Sequence, residues 1–496
     1  MQDLKPTGKL QFSFYAILIV LYGILIFQYL YNRSIWNDEA YLMLNITNLP
    51  ARDLLLPLDY LQIAPVLFLQ IQKLASVLFG DSEYALRLFP LLSGLAAIPL
   101  FYSFCLRFTG NRVLALSATI LLGVTPGFVY YSSEVKQYCT DLFVTVLLYN
   151  IAFNNSDFIV KRRTLALSIV GLIAVFLSNV SIIILFTIGL SFLYTTWKTK
   201  TIKREHWIPV VVWITAFGIN FLFFIKDHPS ASYMRDFWRN TFLPLDVFDT
   251  PFRKFARRSL SRTFAQLLPS LPGSNYLLIF TFFLFLAGLL AMFLKKRYLL
   301  LHLCVTPIAI HLGLSAMEMY PFDQRLLLYQ APFYILSITF GLFWIVNKLI
   351  SNPRSRIVIT SICIALISIK TFMDYPMKHD EIKHAIKYIN SMHKPGESMY
   401  VTAGAAPGIL YYKQRGFTKF DDMSVSLGKK TFYDRKSFLE NVDHVHGRIW
   451  LIASDVFPFR NNKEEEAAIA AAIKRRGKLI SQKDFIGSTV YFYDVP

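Results

Sequence analysis

The run LALSIVGLIAVFLSNVSIIILFTIGLSFLYTTW, Leu165–Trp197, holds 33 residues and not one charge. A helix that crosses a bilayer needs about 20 apolar residues. This run is therefore long enough for two short spans, folded back at Ser178-Asn179. Working outward, nine further stretches are apolar enough to cross: Gln11–Tyr31, Leu86–Leu106, Val113–Tyr131, Tyr138–Phe153, Trp207–Ile225, Tyr276–Leu294, Tyr298–Ala316, Leu326–Val346 and Ile357–Phe372. Eleven crossings follow. The composition agrees. Of 496 residues, 54 % are hydrophobic and only 17 % charged, where soluble domains average about 25 % charged. A soluble globular enzyme, a disordered chain and a disulfide scaffold are excluded. The expected fold class is an α-helical polytopic membrane protein.

Lys plus Arg number 51 and Asp plus Glu 32, a net charge of +19. In a membrane protein such an excess marks cytoplasmic loops and headgroup contacts, so no nucleic-acid partner is expected. Basic residues gather at Lys5/Lys9, Arg107/Arg112, Lys161-Arg162-Arg163, Lys198/Lys200/Lys203/Arg204, Lys295-Lys296-Arg297 and Lys348/Arg354/Arg356. All fall on one side if the N-terminus is cytoplasmic, and eleven spans then place the C-terminus outside. Parity makes Ile63–Phe79, which carries Gln70, Gln72 and Lys73, an interfacial helix on the outer face. Pro251–Leu268 reads similarly, with Phe252, Phe255, Phe264 and Leu268 on one face and five basic residues on the rest. Parity puts this second segment outside, whereas its charge points inside, and the side of the loop 226–274 stays open. The outer-face interfacial regions are thus about 33–85 and 226–274 within a membrane domain 1–375.

Cys105, Cys139, Cys304 and Cys363 lie in or beside apolar segments without metal-ligand spacing, and read as small apolar residues. Gln11–Tyr31 is too long for a signal core and lacks a small-residue cleavage site, so it reads as the first span. From Pro376 the pattern changes to alternating helices (Glu381–Met392, Pro407–Tyr412, Asn462–Arg476) and short strands (Ser398–Thr402, Arg448–Ile452, Thr489–Asp494). This predicts a small extracytoplasmic α/β domain over 376–496.

Three polar clusters fall on the outer side. Trp36-Asn37-Asp38-Glu39 follows the first span, and adjacent carboxylates there suit a general base or a metal ligand, or form an ordinary solvated pair. Tyr130–Tyr138 holds Glu134 and Lys136 in a short loop, with Asp141 just beyond. By count Asp141 lies at hydrocarbon depth, where an unpaired carboxylate is costly, so a pair with Lys136 is expected. That pair is either functional or merely structural. Glu318–Arg325 leads into Tyr329. Its Arg325 suits a phosphate clamp or a headgroup anchor. Together the clusters describe a pocket at the bilayer edge with acids to activate a hydroxyl and cations to hold a phosphorylated lipid.

Those residues carry a resemblance. Asp38-Glu39-Ala40 after the first span resembles the acidic motif of GT-C class glycosyltransferases that use polyprenyl-phosphate sugars. The likeness is to the dolichyl-phosphate-mannose-protein mannosyltransferase and aminoarabinose transferase group. Ala64–Phe68 followed by Gly80-Asp81-Ser82-Glu83 through Arg87 resembles the family's Pro-rich entry and Gly-x-x-Glu-x-x-x-Arg. Tyr131-Ser132-Ser133-Glu134-Val135-Lys136-Gln137-Tyr138 resembles Tyr-Ser-x-Glu-x-Arg-x-Tyr, with Lys136 where Arg is commoner, and Gln324–Tyr329 resembles the Arg-Tyr-Leu stretch. The first 160 residues carry most of the similarity.

The resemblance implies a hexosyl- or pentosyltransferase of the bacterial inner membrane. It would transfer a sugar, with inversion, from a polyprenyl-phosphate (undecaprenyl-phosphate) donor to a lipid, glycan or protein hydroxyl in cell-envelope glycan biosynthesis. Asp38 would be the catalytic base, with Glu39 orienting it or binding acceptor. Lys136 and Arg325 would hold the donor phosphate, and Glu134, Tyr138, Asp141 and Tyr329 would bind substrate. Some members hold a divalent metal near the acids. Here no His cluster marks a metal site, no cofactor is certain, and a metal is left open. A lipid-linked sugar needs no nucleotide site, and the chain has neither a phosphate-binding Gly-rich loop nor a dinucleotide fingerprint. The alternative is a transporter or flippase of a lipid-linked glycan. Transporters carry polar residues at the bilayer midplane and internal repeats. Here the polar residues sit at the outer lip and no repeat is visible.

Overall fold

The computed structural model describes residues 8–154, 157–267, 276–373, 375–420, 423–427, 442, 446–454 and 462–496. The chain divides into two compact units, each discontinuous in sequence. The first comprises Met1–Leu30, Ala51–Gly80 and Tyr84–Met377, and the second Tyr31–Pro50, Asp81–Glu83 and Lys378–Pro496.

The first unit is helical. Its helices are α1 (Gly8–Tyr31), α3 (Val66–Phe79), α4 (Glu83–Thr109), α5 (Arg112–Gly123), α6 (Pro126–Tyr131), α7 (Tyr138–Ala152), α8 (Asp157–Leu177), α9 (Ser181–Thr199) and α10 (Arg204–Asn220), followed by α11 (Ala231–Trp238), α12 (Thr250–Leu267), α13 (Tyr276–Leu294), α14 (Tyr298–Ala316), α15 (Ala331–Leu349) and α16 (Pro353–Met373). α2 (Asn37–Asn48) belongs to the second unit. Among the described residues, seven helical segments are long and apolar enough to cross a membrane, which makes this a multi-pass membrane protein. The other four expected crossings are α8, α16, the 15-residue α7 and the pair α5–α6.

The long opening run breaks where expected: α8 ends at Leu177 and α9 starts at Ser181. The expected single span Val113–Tyr131 is instead two helices. Pro126 has no N–H to continue α5, so the chain restarts there with proline in its first turn. α15 lies at the core, with every residue from Ala331 to Leu342 buried. α13 packs against it at van der Waals limits, because a Cβ on Gly288 would lie 1.9 Å from the Ser337 carbonyl oxygen and one on Gly341 2.1 Å from that of Leu284. Small residues that let backbones touch are the usual device for helix packing in lipid. In α12 the buried apolar residues include Phe255, Phe264 and Leu267. Leu268, like Lys5, lies outside the described residues.

The second unit holds a five-stranded sheet of order β2-β1-β3-β5-β4, with β1 (Ser398–Val401), β2 (Ser424–Leu427), β3 (Gly447–Ser454), β4 (Lys478–Phe485) and β5 (Ser488–Val495). β2, β1 and β3 are parallel, β5 runs antiparallel to β3, and β4 closes a hairpin on β5. The remaining helices are α17 (Ile382–Met392), α18 (Ala406–Gln414) and α19 (Asn462–Arg476). α17 buries Ile382, Ala385, Ile386 and Ile389, the i, i+3, i+4, i+7 face of an amphipathic helix. Tyr400, Ile449, Leu451, Ile469, Ile473 and Tyr493 form the core. α2 packs against α18 in this unit.

Candidate functional site

In the second unit, Asp38 and Glu39 occupy the first turn of α2, where the free amides of a helix start favour negative charge. The two carboxylates have different surroundings. Asp38 is half-buried. Glu39 is fully buried, and its Oε2 takes a hydrogen bond from the Arg33 guanidinium at 3.2 Å, in an ion pair almost wholly removed from solvent. A carboxylate in that position is committed to its cation. The geometry leaves Asp38 as the more accessible acid.

In the first unit, α6 and α7 are joined by the tight turn Ser132–Gln137, whose six residues are all buried. Lys136 donates its backbone N–H to the Glu134 carbonyl (2.7 Å) and its ammonium to Gln62 Oε1 (2.9 Å). Gln62 follows two consecutive left-handed residues, Tyr60 (φ 59°) and Leu61 (φ 56°). Neither is glycine, and each such residue costs about 1–3 kcal/mol. Backbone strain of this kind is concentrated where a side chain must be aimed, and here it leads into the partner of Lys136.

Two tyrosines bring the other predicted residues together. The Tyr131 ring lies 5.0 Å from that of Tyr138, and Glu134, Arg325 and Asp323 are its charged neighbours. Tyr320, in the loop after α14, is half-buried. Loss of solvation there, followed by the charges of Asp141, Tyr138 and Tyr329, raises its hydroxyl well above the usual value of 10. Glu134 and Arg325 therefore lie within electrostatic reach of Tyr131, whose ring packs on that of Tyr138, and Tyr138, Asp141 and Tyr329 lie within electrostatic reach of Tyr320. The Asp141 Oδ1 oxygen is buried and has no hydrogen-bond partner among the described residues. Arg325 lies over the Trp238 ring at 4.9 Å, a cation–π contact that orients the guanidinium plane. Arg262 pairs with Asp323 at 2.7 Å. Tyr329 is locked from behind, since its hydroxyl meets His311 Nδ1 (2.9 Å) and accepts from Gln330 (2.8 Å), while His311 Nε2 meets the Pro321 carbonyl (3.0 Å).

Sequence reasoning missed Arg33, Gln62, Trp238 and His311. No local spacing ties Gln62 to Lys136 or Trp238 to Arg325. For Arg33 there was one signal, a cation beside a span and six residues before an acid. The described residues contain no group of three or more His, Cys, Asp or Glu side chains placed to hold a metal ion. The donor set for a divalent metal beside the acids is thus not assembled from these residues.

No family model and no curated protein matches the chain. Solved structures do match. The crystal structure of ArnT from Cupriavidus metallidurans bound to undecaprenyl phosphate is 12 % identical with a TM-score of 0.51, covering 98 % of this chain and 98 % of that one. The same protein in its apo state gives 11 % identity and a TM-score of 0.52, covering 97 % and 98 %. At this identity the likeness is one of fold, and over nearly its whole length the chain has the GT-C-like fold of ArnT.

Proposed function

We propose that the chain is an inverting membrane glycosyltransferase that takes its sugar from a polyprenyl-phosphate donor and delivers it to a hydroxyl on the extracytoplasmic side. The observation that carries this reading is the whole-chain fold likeness to a protein crystallised with undecaprenyl phosphate. The acids and cations within electrostatic reach of Tyr131 and Tyr320 support it.

In the proposed reaction the acceptor oxygen attacks the anomeric carbon. Its proton passes to the Asp38 carboxylate as the new C–O bond forms. The bond from the anomeric carbon to the phosphate oxygen breaks, and polyprenyl phosphate leaves with the electron pair. Lys136 and Arg325 stabilise the charge growing on that phosphate. Lys136 supplies a point charge and Arg325 a planar fork. Glu134, Tyr138, Asp141 and Tyr329 line the substrate, and Glu39 holds the first turn of α2 through Arg33. The chain sits in a bacterial inner membrane with its N-terminus cytoplasmic and its C-terminal domain periplasmic. The sugar and the acceptor class are left to the assay.

The test uses the full chain in sealed proteoliposomes with a panel of synthetic undecaprenyl-phosphate-linked pentoses and hexoses, plus a bacterial membrane extract as acceptor. The expected result is release of undecaprenyl phosphate together with a glycosylated product. Donor that crosses the bilayer with its sugar–phosphate bond intact would replace the enzyme with a transporter.

A further inference from the structure

All the atoms in this inference belong to the second unit. Lys383, on α17, donates its backbone N–H to Ser34 Oγ (3.1 Å) and its ammonium to the Asn32 carbonyl (3.1 Å). The same ammonium pairs with Glu83 Oε1 at 2.8 Å, both side chains being 14 % exposed. Tyr412, on α18, accepts the Ile35 backbone N–H at its hydroxyl (3.2 Å) and donates that hydroxyl to Glu83 Oε1 (3.1 Å). One tyrosine hydroxyl has one proton and two lone pairs, so these two bonds fix its direction. Asn32, Ser34 and Ile35, three closely spaced anchor points on a segment without regular structure, are thereby tied to the C-terminal domain just before Asp38. Tyr411 and Arg415 hold the other partner in place, the former donating to the Asp81 carbonyl (2.7 Å) and the latter meeting the Asp81 carboxylate (3.4 Å).

A loop of this kind has no helix or strand to set its course. Its position comes from the three bonds to Asn32, Ser34 and Ile35, one of them charge-assisted and all at least half-buried, where they are stronger than in water, and the Glu83 carboxylate fixes the Lys383 and Tyr412 side chains. We propose that Lys383, Tyr412 and Glu83 are positioning residues that set where Asp38 stands, which makes the α/β domain part of the catalytic apparatus. The proposal rests on the reading of Asp38 as the base. A misplacement of a catalytic group by about 1 Å costs on the order of 100-fold in rate.

The experiment compares the full-length wild type, Tyr412→Phe, Lys383→Met and Lys383→Arg in nanodiscs, with two readouts. Hydrogen exchange is followed in the peptide covering residues 32–41, and kcat and KM are measured with whichever undecaprenyl-phosphate-linked sugar of the panel the wild type uses. Tyr412→Phe removes one oxygen and nearly keeps the volume. It is expected to speed exchange in 32–41 roughly tenfold and to lower kcat roughly 10- to 100-fold with the donor KM within about twofold. Lys383→Arg should retain most of both signals and Lys383→Met should lose them. Unchanged exchange in Tyr412→Phe and Lys383→Met overturns the anchoring. Faster exchange with unchanged kcat overturns the catalytic role. If the wild type uses no panel donor, the glycosyltransferase reading fails, while the exchange arm still decides whether the domain holds the segment.

Discussion

Neighbouring residues of one motif end in opposite environments, and this decides what each can do. Glu39 is sequestered against Arg33, whereas Asp38 is half-buried in the first turn of α2. Removing one partner of a buried ion pair leaves the other charge unsolvated and costs about 3–5 kcal/mol. Glu39→Gln is therefore expected to destabilise the protein by about 3 kcal/mol, read as a fall in Tm in detergent and in expressed yield. Asp38→Asn is expected to leave Tm within a degree or two of wild type. Its transfer from an undecaprenyl-phosphate donor should fall by about 10²–10⁴-fold, the span of a lost general base. An Asp38→Asn enzyme with wild-type turnover removes the base assignment. Arg325→Ala should raise the donor KM about tenfold, equivalent to ~1.4 kcal/mol of lost phosphate binding. A change confined to acceptor KM would assign Arg325 to the other substrate. These acids and cations were legible in the sequence because charge beside an apolar span is rare and expensive. Their partners were not, since Gln62 and Lys136 lie 74 positions apart and only the folded chain joins them.

At the scale of elements, the lipid made most helices readable. Every backbone amide in hydrocarbon must be bonded within its own helix, so long apolar runs have one outcome, and Tyr276–Leu294 and Tyr298–Ala316 have the bounds the sequence suggests. Strands were harder. β4, Lys478-Leu-Ile-Ser-Gln-Lys-Asp-Phe485, carries three charged residues at one edge of the sheet, and a bulge between Leu479 and Ser481 breaks its alternation. Such a strand is recognised only through its hairpin partner β5. The sharpest element-level consequence concerns α13 and α15. A Cβ at Gly288 would meet backbone at Ser337, which cannot rotate away as a side chain would. Gly288→Ala should force the helices apart and cost about 1–3 kcal/mol, visible as a lower Tm. Gly218→Ala, where nothing lies within 4 Å of the added atom, serves as the control with Tm unchanged. Equal stability of the two variants would mean that α13 and α15 are not in backbone contact.

For the molecule as a whole, the linear order of the chain hides its grouping. Tyr31–Pro50 folds with a domain that begins at Lys378, through contacts such as Ile35–Tyr412 across 377 positions. Hydropathy cannot report this, because Tyr31–Pro50 mixes polar and apolar residues without the length of a span, and its partners are set by tertiary packing alone. Orientation can be argued from charge, since basic loops stay cytoplasmic when they are short. The loop containing α12 is the one place where charge and span parity disagree, and long loops follow the charge rule poorly. The two arguments separate in a labelling experiment. With Cys363→Ser as background, its other three cysteines being buried, a membrane-impermeant maleimide is applied to spheroplasts before and after their lysis. Gln482→Cys on β4 and Ser261→Cys on α12 are both exposed positions and should react from the periplasmic side, whereas Arg297→Cys between α13 and α14 should react only once the cytoplasm is opened. Ser261→Cys protected until the cytoplasm is opened would place α12 inside. It would require an even number of crossings before that loop and an odd number after it, in place of seven and four, and would remove the basic helix from the face where the proposed reaction occurs.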